Sequence, residues 1–297
     1  MNSILVIGSS NTDMVIRVPE LPNPGETVAG GEFEVFGGGK GANQAIAARR
    51  AGGEVQFIAA VGNDEFGKTA IETFAAEGID TSAIHVVDDA PSGVAMIFVN
   101  HAGENCIGVA PGANARLTPE IVSSHQNAFG TADVLLLQLE TPMASVAAAI
   151  EIAAANDLPV VLNPAPAAYL PEQLLNKLYC LTPNSTEAEA LTGVAISDEK
   201  SAVVAADVLL GRGVQNVVIT LGGDGALLHN ADGTHYQAAA SVKVVDTTGA
   251  GDTFNGVLAA MIARRQPLQD AIETAVKAAT LSVQTAGAIA SIPCLNQ

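Results

Sequence analysis

The chain has 297 residues, 48% of them hydrophobic, and its 13 lysine and arginine residues against 31 aspartate and glutamate residues give a formal net charge of −18. This length allows one large α/β unit or two smaller domains with a sizeable core, and it excludes a marginal mini-protein. The acidity argues against nucleic acid or an anionic membrane surface as a partner, because both require a basic surface.

The N-terminal sequence and the cysteines predict a cytoplasmic location. No apolar run approaches the roughly 18 residues of a membrane span, and the segment Met1–Gly8 lacks the basic residues of a signal peptide. Cys106, Cys180 and Cys294 are far apart and show no metal-ligand spacing, so we expect reduced thiols.

Short apolar runs alternate with longer alanine-rich helical patterns, which is typical of a mostly parallel sheet covered by helices. Strands buried on both faces are predicted at Ile4–Gly8, Val55–Val61, Val134–Leu137, Val160–Leu162 and Val217–Leu221. Helices are predicted around Ala42–Ala51, Ser145–Ala155 and Ala202–Leu210. The predicted fold class is therefore α/β, with residues 1–297 forming one unit around a mostly parallel central sheet flanked by helices.

Two stretches break this alternation of strands and helices. Residues 13–36 and 93–109 alternate apolar and polar positions around turn-rich segments, as antiparallel strands do. A small antiparallel β sheet that projects from the main unit would form a lid or a dimerisation surface. An ordinary edge extension of the main sheet is the alternative.

Late in the chain, the small residues Gly249-Ala-Gly251 precede a predicted helix. The apolar residues after them repeat at helical spacing, so the helix begins near Gly251 and ends near Arg264 and Arg265. The first N–H groups of a helix have no partners within it and attract anions such as a phosphoryl group. Asp252 would lie within reach of a reacting hydroxyl, although a helix-capping acid is the alternative.

A second glycine-rich segment, Phe36–Gln44, also leads into a helix. Its Lys40 and Asn43 could reach a ligand from the first turn, whereas a merely flexible turn is the alternative interpretation. Because open α/β sheets bind ligands at the carboxyl ends of their strands, Asn11 and Asp13 after the first strand are further candidates.

Glu140 follows the apolar run Val134–Leu139 and has the equivalent position at the end of another strand. Carboxylates and amides in such a set pair with vicinal hydroxyl groups, so together they indicate a polyhydroxylated substrate.

Six motifs together resemble the ribokinase (PfkB-type) family of carbohydrate kinases over nearly the whole chain. They are Gly8-Ser-Ser-Asn-Thr-Asp13, Pro24-Gly-Glu-Thr27, Gly38-Gly-Lys-Gly-Ala-Asn-Gln44, Thr182-Pro-Asn-Ser-Thr-Glu187, Thr220-Leu-Gly-Gly-Asp-Gly225 and Asp246-Thr-Thr-Gly-Ala-Gly-Asp-Thr253. The resemblance implies a central α/β domain, a β lid that often forms a homodimer, and transfer of phosphate from ATP to a primary hydroxyl group of a sugar. It favours a free pentose, with D-ribose first and 2-deoxyribose or a nucleoside as alternatives.

The resemblance also implies roles for individual residues. Asp252 would be the general base, and the N–H groups of Gly249, Ala250 and Gly251 would form an anion hole. The sugar contacts would be Asn11, Thr12, Asp13, Gly39, Lys40, Gly41, Ala42, Asn43, Glu140 and Asp252. The nucleotide would meet Asn184, Thr220, Leu221, Gly222, Gly223, Asp224, Gly225 and Gly251.

Two metal ions follow from the same resemblance. Glu187 would help to hold Mg²⁺ through water, together with ATP. A monovalent cation, usually K⁺, would be bound by Asp246, Thr248, Ser282, Thr285, Gly287 and Ser291, mostly through carbonyl oxygens. The sequence departs from the family at Val276, where relatives often carry an asparagine that touches the nucleotide.

Two other classes of protein remain as alternatives. Gly62-Asn-Asp-Glu-Phe-Gly-Lys-Thr69 fits the P-loop pattern of another class of ATPase. However, Asp64 and Glu65 would place two carboxylates inside a phosphate-binding loop, and Phe66 is bulky where the backbone must wrap tightly. A sugar-binding module that has lost catalysis is the other alternative, and the intact Asp252 argues against it.

Overall fold

The computed structural model describes residues 2–295 of the chain. The strands are β1 (Ser3–Ile7), β2 (Asn11–Arg17), β3 (Glu32–Gly38), β4 (Glu54–Gly62), β5 (Ile84–Val87), β6 (Gly93–Val99), β7 (Asn105–Ala110), β8 (Val134–Leu137), β9 (Val160–Leu162), β10 (Cys180–Leu181), β11 (Asn216–Thr220), β12 (Gly225–Asn230) and β13 (Gly233–Ala238). The α-helices are α1 (Lys40–Arg50), α2 (Glu65–Ala76), α3 (Pro119–Ser124), α4 (Gln126–Phe129), α5 (Met143–Ala155), α6 (Glu172–Leu175), α7 (Ser185–Thr192), α8 (Glu199–Gly211), α9 (Ala250–Ala263), α10 (Leu268–Ser282) and α11 (Ala288–Ser291).

The main sheet has nine strands within residues 2–295, in the order β13-β12-β11-β10-β9-β8-β1-β4-β5. All neighbours from β11 to β5 in this order are parallel, and only β12 and β13 add an antiparallel edge. The predicted α/β class with a mostly parallel central sheet is therefore confirmed. No helix within the described range is long and apolar enough to cross a membrane.

The core lies on both faces of the main sheet, because the side chains of each strand alternate between two helical layers. Leu135 and Leu137 pack with α3, α5 and α8, whereas Val134 and Leu136 pack with α1, α9 and α10. A β-carbon at Gly256 would lie 2.4 Å from the carbonyl oxygen of Gln44. This glycine therefore permits the close packing of α9 against α1 that brings their first turns together.

The second sheet has four strands within the same described range, in the order β3-β2-β6-β7, and we call it the lid sheet. It is antiparallel within the hairpins β2–β3 and β6–β7, as predicted, whereas its central pair β2 and β6 is parallel. The central pair is parallel because both strands leave the main sheet in the same direction, with Asn11 opposite Gly93 at the start.

Candidate active site

Asp252 lies in the first turn of α9 with its carboxylate buried against α1. Its Oδ2 accepts a hydrogen bond from Asn43 Nδ2 at 2.9 Å, and its Oδ1 accepts one from Gln44 Nε2 at 2.9 Å. Burial raises the pKa of Asp252, an effect that outweighs the lowering by the Lys40 ammonium group and by the two amide donors. Asp252 is therefore a carboxylate with raised proton affinity, and each of its oxygens accepts a hydrogen bond from the glycine-rich segment Phe36–Gln44.

The N-terminus of α9 offers unpaired N–H groups beside Asp252. Gly249 precedes the helix in a left-handed conformation with φ of 74°, which favours glycine. The N–H of Ala250 donates to Thr247 O at 3.2 Å, whereas no acceptor within residues 2–295 receives the N–H groups of Gly249, Gly251 and Asp252. These three N–H groups, at the positive end of the helix dipole, form a site that attracts an anion.

The N-terminus of α1 differs, although its sequence is just as rich in glycine. The N–H groups of Lys40 and Gly41 donate to Glu140 Oε2 at 2.9 Å and Ser9 Oγ at 3.3 Å, and that of Ala42 donates to Ser9 O at 2.9 Å. Gly41 and Ala42 are both buried, and Gly41 packs against the backbone of Gly8 and Ser9 after β1. This glycine-rich segment thus packs the helix closely, and it contributes its ligand-facing groups through Lys40 and Asn43.

Lys40 is the cation of a strongly acidic cluster. Burial lowers the pKa of Lys40, but the carboxylates of Asp252, Glu140 and Glu187 outweigh that effect and raise it above its ordinary value. Across the cluster, burial together with the charges of Glu140 and Asp252 raises the pKa of Asp13 to about 6. The predicted Asp13, Lys40, Glu140 and Asp252 are therefore brought into one electrostatic unit.

Asn11 reaches this cluster from the start of β2, and Asn114 fixes its orientation. Asn114 Nδ2 donates to Asn11 Oδ1 at 2.7 Å, so the NH₂ group of Asn11 is left to donate to a ligand. A β-carbon at Gly38 would lie 2.2 Å from Asp13 Oδ2, so only glycine leaves room for that carboxylate between β2 and β3. Thr12 faces the opposite side of the strand and lines an adjoining cavity of about 490 Å³.

The predicted nucleotide contacts lie at the carboxyl ends of β10 and β11. Asn184 caps α7 through its side chain and forms a bridge to Thr220, so the two motifs meet. The carboxylate of Glu187 accepts the Asn184 N–H at 2.9 Å through Oε2, and no described residue donates to its Oε1. Burial raises the pKa of Glu187. In the following 3₁₀ turn, Gly222 and Gly223 open onto free space.

The other members of the nucleotide motif, Leu221, Asp224 and Gly225, continue this turn into β12. A β-carbon at Gly225 would lie 2.0 Å from Gln237 O, so glycine is required where the turn meets β13. Val276 lies on α10 and is buried in the hydrophobic core, so this position offers no polar side chain to a nucleotide.

Asp246 joins the two segments that carry the predicted monovalent-cation ligands. Its Oδ1 accepts hydrogen bonds from Thr248 N at 2.9 Å and Thr248 Oγ1 at 2.6 Å, and its Oδ2 accepts one from Gly287 N at 2.8 Å. Although burial raises the pKa of Asp246, these hydrogen bonds lower it overall. Ser282 is the last residue of α10, Thr285 lies between α10 and α11, and Ser291 is the last residue of α11.

The P-loop-like segment is an ordinary connection between β4 and α2. Asp64 caps α2 and accepts hydrogen bonds from Gly67 N at 2.8 Å and from both Ser92 N and Ser92 Oγ, at 2.8 Å and 2.6 Å. A carboxylate therefore occupies the place where a P-loop would hold phosphate, and Lys68 is exposed.

We expect Lys68→Ala to leave the KM for ATP within about twofold of the parent value, because Lys68 is an exposed surface residue outside the acidic cluster. Steady-state kinetics with varied ATP measures this, with Lys200→Ala on the surface of α8 as the matched control. Loss of ATP binding in Lys68→Ala alone would reinstate the P-loop hypothesis.

Sequence reasoning missed several polar residues that orient the site. Gln44, Asn114, Gln138 and Asn163 are all nearly or fully buried and hydrogen-bonded to one another or to predicted ligand residues. The signal was present for two of them, because Gln138 and Asn163 directly follow β8 and β9, at the same carboxyl-end edge of the sheet as Glu140.

Comparison with known proteins agrees with this arrangement. The family described as pfkB family carbohydrate kinase matches residues 1–295. A ribokinase of Haemophilus influenzae is 44% identical over 291 residues, 98% of this chain and 95% of that protein. A deoxyribokinase of Salmonella typhi is 36% identical, with 99% and 96% covered.

Among solved structures, Arabidopsis thaliana ribokinase complexed with ribose and ATP superposes with a TM-score of 0.92 at 30% identity, covering 98% of this chain and 95% of that one. Fold and sequence thus indicate the same family. The chain belongs to the pfkB family of carbohydrate kinases and is a phosphotransferase acting on an alcohol group.

Proposed function

We propose that the chain transfers the γ-phosphoryl group of ATP to the 5-hydroxyl group of D-ribose, giving ribose 5-phosphate and ADP. The observation that carries this proposal is the position of Asp252, between the unpaired N–H groups of α9 and the acidic cluster with its amide groups. One side of Asp252 thus suits a phosphoryl group and the other suits a polyhydroxylated sugar.

The proposed steps follow from the geometry. Asn11, Asp13, Asn43 and Glu140 bind the sugar hydroxyls, and Asn43 Oδ1, buried without a hydrogen-bond partner among the described residues, accepts from one of them. Asp252 Oδ2 accepts the proton of the reacting hydroxyl. The N–H groups of Gly249 and Gly251 stabilise negative charge on the transferring phosphoryl group, because phosphoryl transfer depends mainly on positioning and charge neutralisation.

The rest of the nucleotide motif binds ATP, with Asn184 and the segment Thr220–Gly225 along the phosphates and nucleoside. Glu187 fits a role toward Mg²⁺, because its Oε1 has no donor among the described residues and remains able to accept from a metal-bound water. When bound with ATP, Mg²⁺ would supply further neutralisation of phosphate charge. K⁺ would be held next to α9 by Asp246 and the carbonyl oxygens of Thr248, Ser282, Thr285, Gly287 and Ser291.

D-Ribose is preferred over 2-deoxyribose for two reasons. The site offers the hydrogen-bond acceptors Asp13 and Glu140 and the donor Asn11, which is enough to pair with a sugar that keeps its 2-hydroxyl group. The ribokinase relative is also more similar than the deoxyribokinase, at 44% against 36% identity. A sugar that already carries a phosphate group would need additional cationic side chains in its binding site. Among the described residues of the acidic cluster, Lys40 is the one cationic residue, which argues against such a substrate.

The test is a coupled assay of ADP release with ribose, 2-deoxyribose, fructose, adenosine and fructose 6-phosphate, each with and without K⁺. We expect the highest kcat/KM with ribose and a marked fall when K⁺ is replaced by a large organic cation. Absence of sugar-dependent ADP release would refute the kinase proposal, and a higher kcat/KM for 2-deoxyribose would correct only the substrate.

We also propose a cytoplasmic homodimer that forms through the lid sheet. Phe33 and Val35 on β3 pair laterally with β2 residues of the same face, as does Met96 on β6, and all three are largely exposed. This face points away from Asp13, which lies on the opposite face of β2. An apolar face of this kind on both copies is self-complementary about a two-fold axis.

Sedimentation velocity tests the homodimer. The parent chain is expected to sediment as a dimer at micromolar concentration, and Val35→Glu is expected to give monomers, because it would bury a charge in the apolar contact. Val204→Glu, on the exposed face of α8, is the matched control and keeps the dimer. A parent chain that remains monomeric would refute this proposal without affecting the kinase assay.

A further inference from the structure

Gln44 is fully buried behind Asp252 and has every polar group of its amide satisfied. Its Nε2 donates both to Asp252 Oδ1 at 2.9 Å and to Asn163 Oδ1 at 3.0 Å, and its Oε1 accepts from Gln138 Nε2 at 2.7 Å. The donor from Gln138 fixes the Gln44 amide in one orientation, since the reverse orientation would place an oxygen against the Asp252 carboxylate.

Gln138 makes this contact at a cost to its own hydrogen bonding. Its Oε1 is buried without a hydrogen-bond partner among the described residues and packs against Gly8. An unpaired buried carbonyl oxygen destabilises the fold, and an apolar side chain at this position would avoid it. Retention of an amide at this position therefore indicates a requirement for the donor that orients Gln44.

The second branch of the network returns to the helix that carries Asp252. Asn163 Nδ2 donates to Thr182 O at 3.1 Å, Thr182 Oγ1 donates to Asn255 Oδ1 at 2.5 Å, and Asn255 Nδ2 donates to Gly251 O at 2.8 Å. Gln44 thus belongs to a buried network that holds both the carboxylate of Asp252 and the turn with the unpaired N–H groups.

We propose that Gln44 is a positioning residue for the reaction: it holds Oδ1 of Asp252 from the buried side, while Asn43, a proposed sugar contact, holds Oδ2, and it stabilises the ionised form of that carboxylate. The proposal rests on the general-base role proposed for Asp252. Gln44 itself touches neither sugar nor nucleotide, because its side chain has no exposed surface.

The consequence is a change in the pH dependence of turnover when Gln44 is replaced. A hydrogen bond to the charged form of an acid lowers its pKa, so removal of the donor raises the pKa of Asp252 and moves the acidic limb of the kcat profile to higher pH. The other charged groups that face Asp252 are Lys40 on α1, Glu140 after β8, Asp13 on β2 and Glu187 on α7. All four are unchanged in the variants below.

The experiment compares kcat between pH 5 and pH 9, at saturating sugar and ATP, for the parent, Gln44→Met and Gln138→Met. Methionine keeps the length of glutamine and removes the donor. We expect Gln44→Met to move the acidic limb upward by about one pH unit and to lower kcat at pH 7 by tenfold or more, with sugar KM changed by less than about threefold. Gln138→Met should move the limb in the same direction by less.

The matched control is Gln56→Met, at a partly exposed position on β4. It also removes a hydrogen bond from a glutamine to an aspartate, the one that Gln56 Nε2 donates to Asp80 Oδ2. Its profile should coincide with that of the parent. A lower kcat in Gln44→Met with an unmoved acidic limb would overturn the proposal and leave Gln44 a structural residue. If Gln44→Met fails to fold, an unmoved limb in Gln138→Met overturns it equally.

A failure of the underlying role is distinguishable. If Asp252→Asn keeps its turnover, Asp252 is not the base, and the proposal for Gln44 fails together with that role. If Asp252→Asn is inactive and both methionine variants have the parent profile, only the proposal for Gln44 fails.

Discussion

Replacement of Asp252 by asparagine is expected to lower kcat by about 10²- to 10⁴-fold while sugar affinity changes by less than about tenfold. Asparagine cannot accept the proton of the sugar hydroxyl. The other sugar-binding groups proposed here, on Asn11, Asp13 and Glu140, belong to different elements of the fold and remain in place. ADP release measures kcat, and calorimetric titration of the sugar in the presence of a non-hydrolysable ATP analogue measures affinity.

Asp198→Asn is the matched control for this variant. Asp198 is an exposed carboxylate that also lies at a helix N-terminus, where it accepts a hydrogen bond from Ser201 N at 2.8 Å. Its substitution should leave kcat within about twofold of the parent. Retention of more than about a tenth of the parental kcat in Asp252→Asn would show that Asp252 is no general base.

Lys40→Met is expected to lower kcat/KM for ATP by about 10²- to 10³-fold, because it removes the cation among Asp252, Glu140 and Glu187. Methionine preserves much of the apolar stem. Without the ammonium group, which lowers the pKa of Asp252, that pKa should rise further, so activity is lost as the pH falls and recovers only in part at higher pH. Steady-state kinetics with varied ATP between pH 6 and pH 9 measures both effects.

Lys177→Met is its control, because Lys177 forms a partly exposed ion pair with Glu151 of α5, outside the acidic cluster. That variant should keep the parental kcat/KM at every pH. An unchanged kcat/KM for ATP in Lys40→Met would mean that the helix N-terminus neutralises the transferred phosphate without the Lys40 ammonium group, and Lys40 would then have no part in phosphate binding.

The central strands could be predicted because each is apolar on both faces, as β8 and β9 show, where the predicted bounds match the structure. The strands β12 and β13 were missed. They lie at the edge of the main sheet, and the pattern of β13 alternates between exposed and half-buried positions. Over only six residues, such an alternation is too short and too weakly apolar to predict a strand.

The candidate site likewise contains residues that the sequence predicts and residues that it does not. Asp252 and the small residues before it could be predicted because one short segment combines a helix start, open backbone groups and a carboxylate. The contact of Gln44 with Asp252 spans 208 residues, and that of Gln138 with Gln44 spans 94. No local pattern encodes such pairs, since they depend on how α1, α9 and β8 pack in three dimensions.

The two glycine-rich helix starts show the limit of a motif even more directly. Both place small residues before a helix. The first N–H groups of α1 donate to Ser9 and Glu140, whereas those of Gly249, Gly251 and Asp252 at α9 have no acceptor among the described residues. Composition alone does not distinguish the two segments, because the difference depends on which residues after β1 and β8 reach each helix.

The attachment of the lid sheet has a mechanical consequence. Its strands meet the main body along one row, where Asn11 lies opposite both Gly38 and Gly93, and Val94 lies opposite Ala110. A rotation of the lid sheet as a rigid body would take place about this row. Asn11 lies on the row and is hydrogen-bonded to Asn114, so such a rotation would displace it little. Asp13, two positions farther along β2, would move more, so the angle of the lid sheet would set the distance between the Asn11 amide and the Asp13 carboxylate.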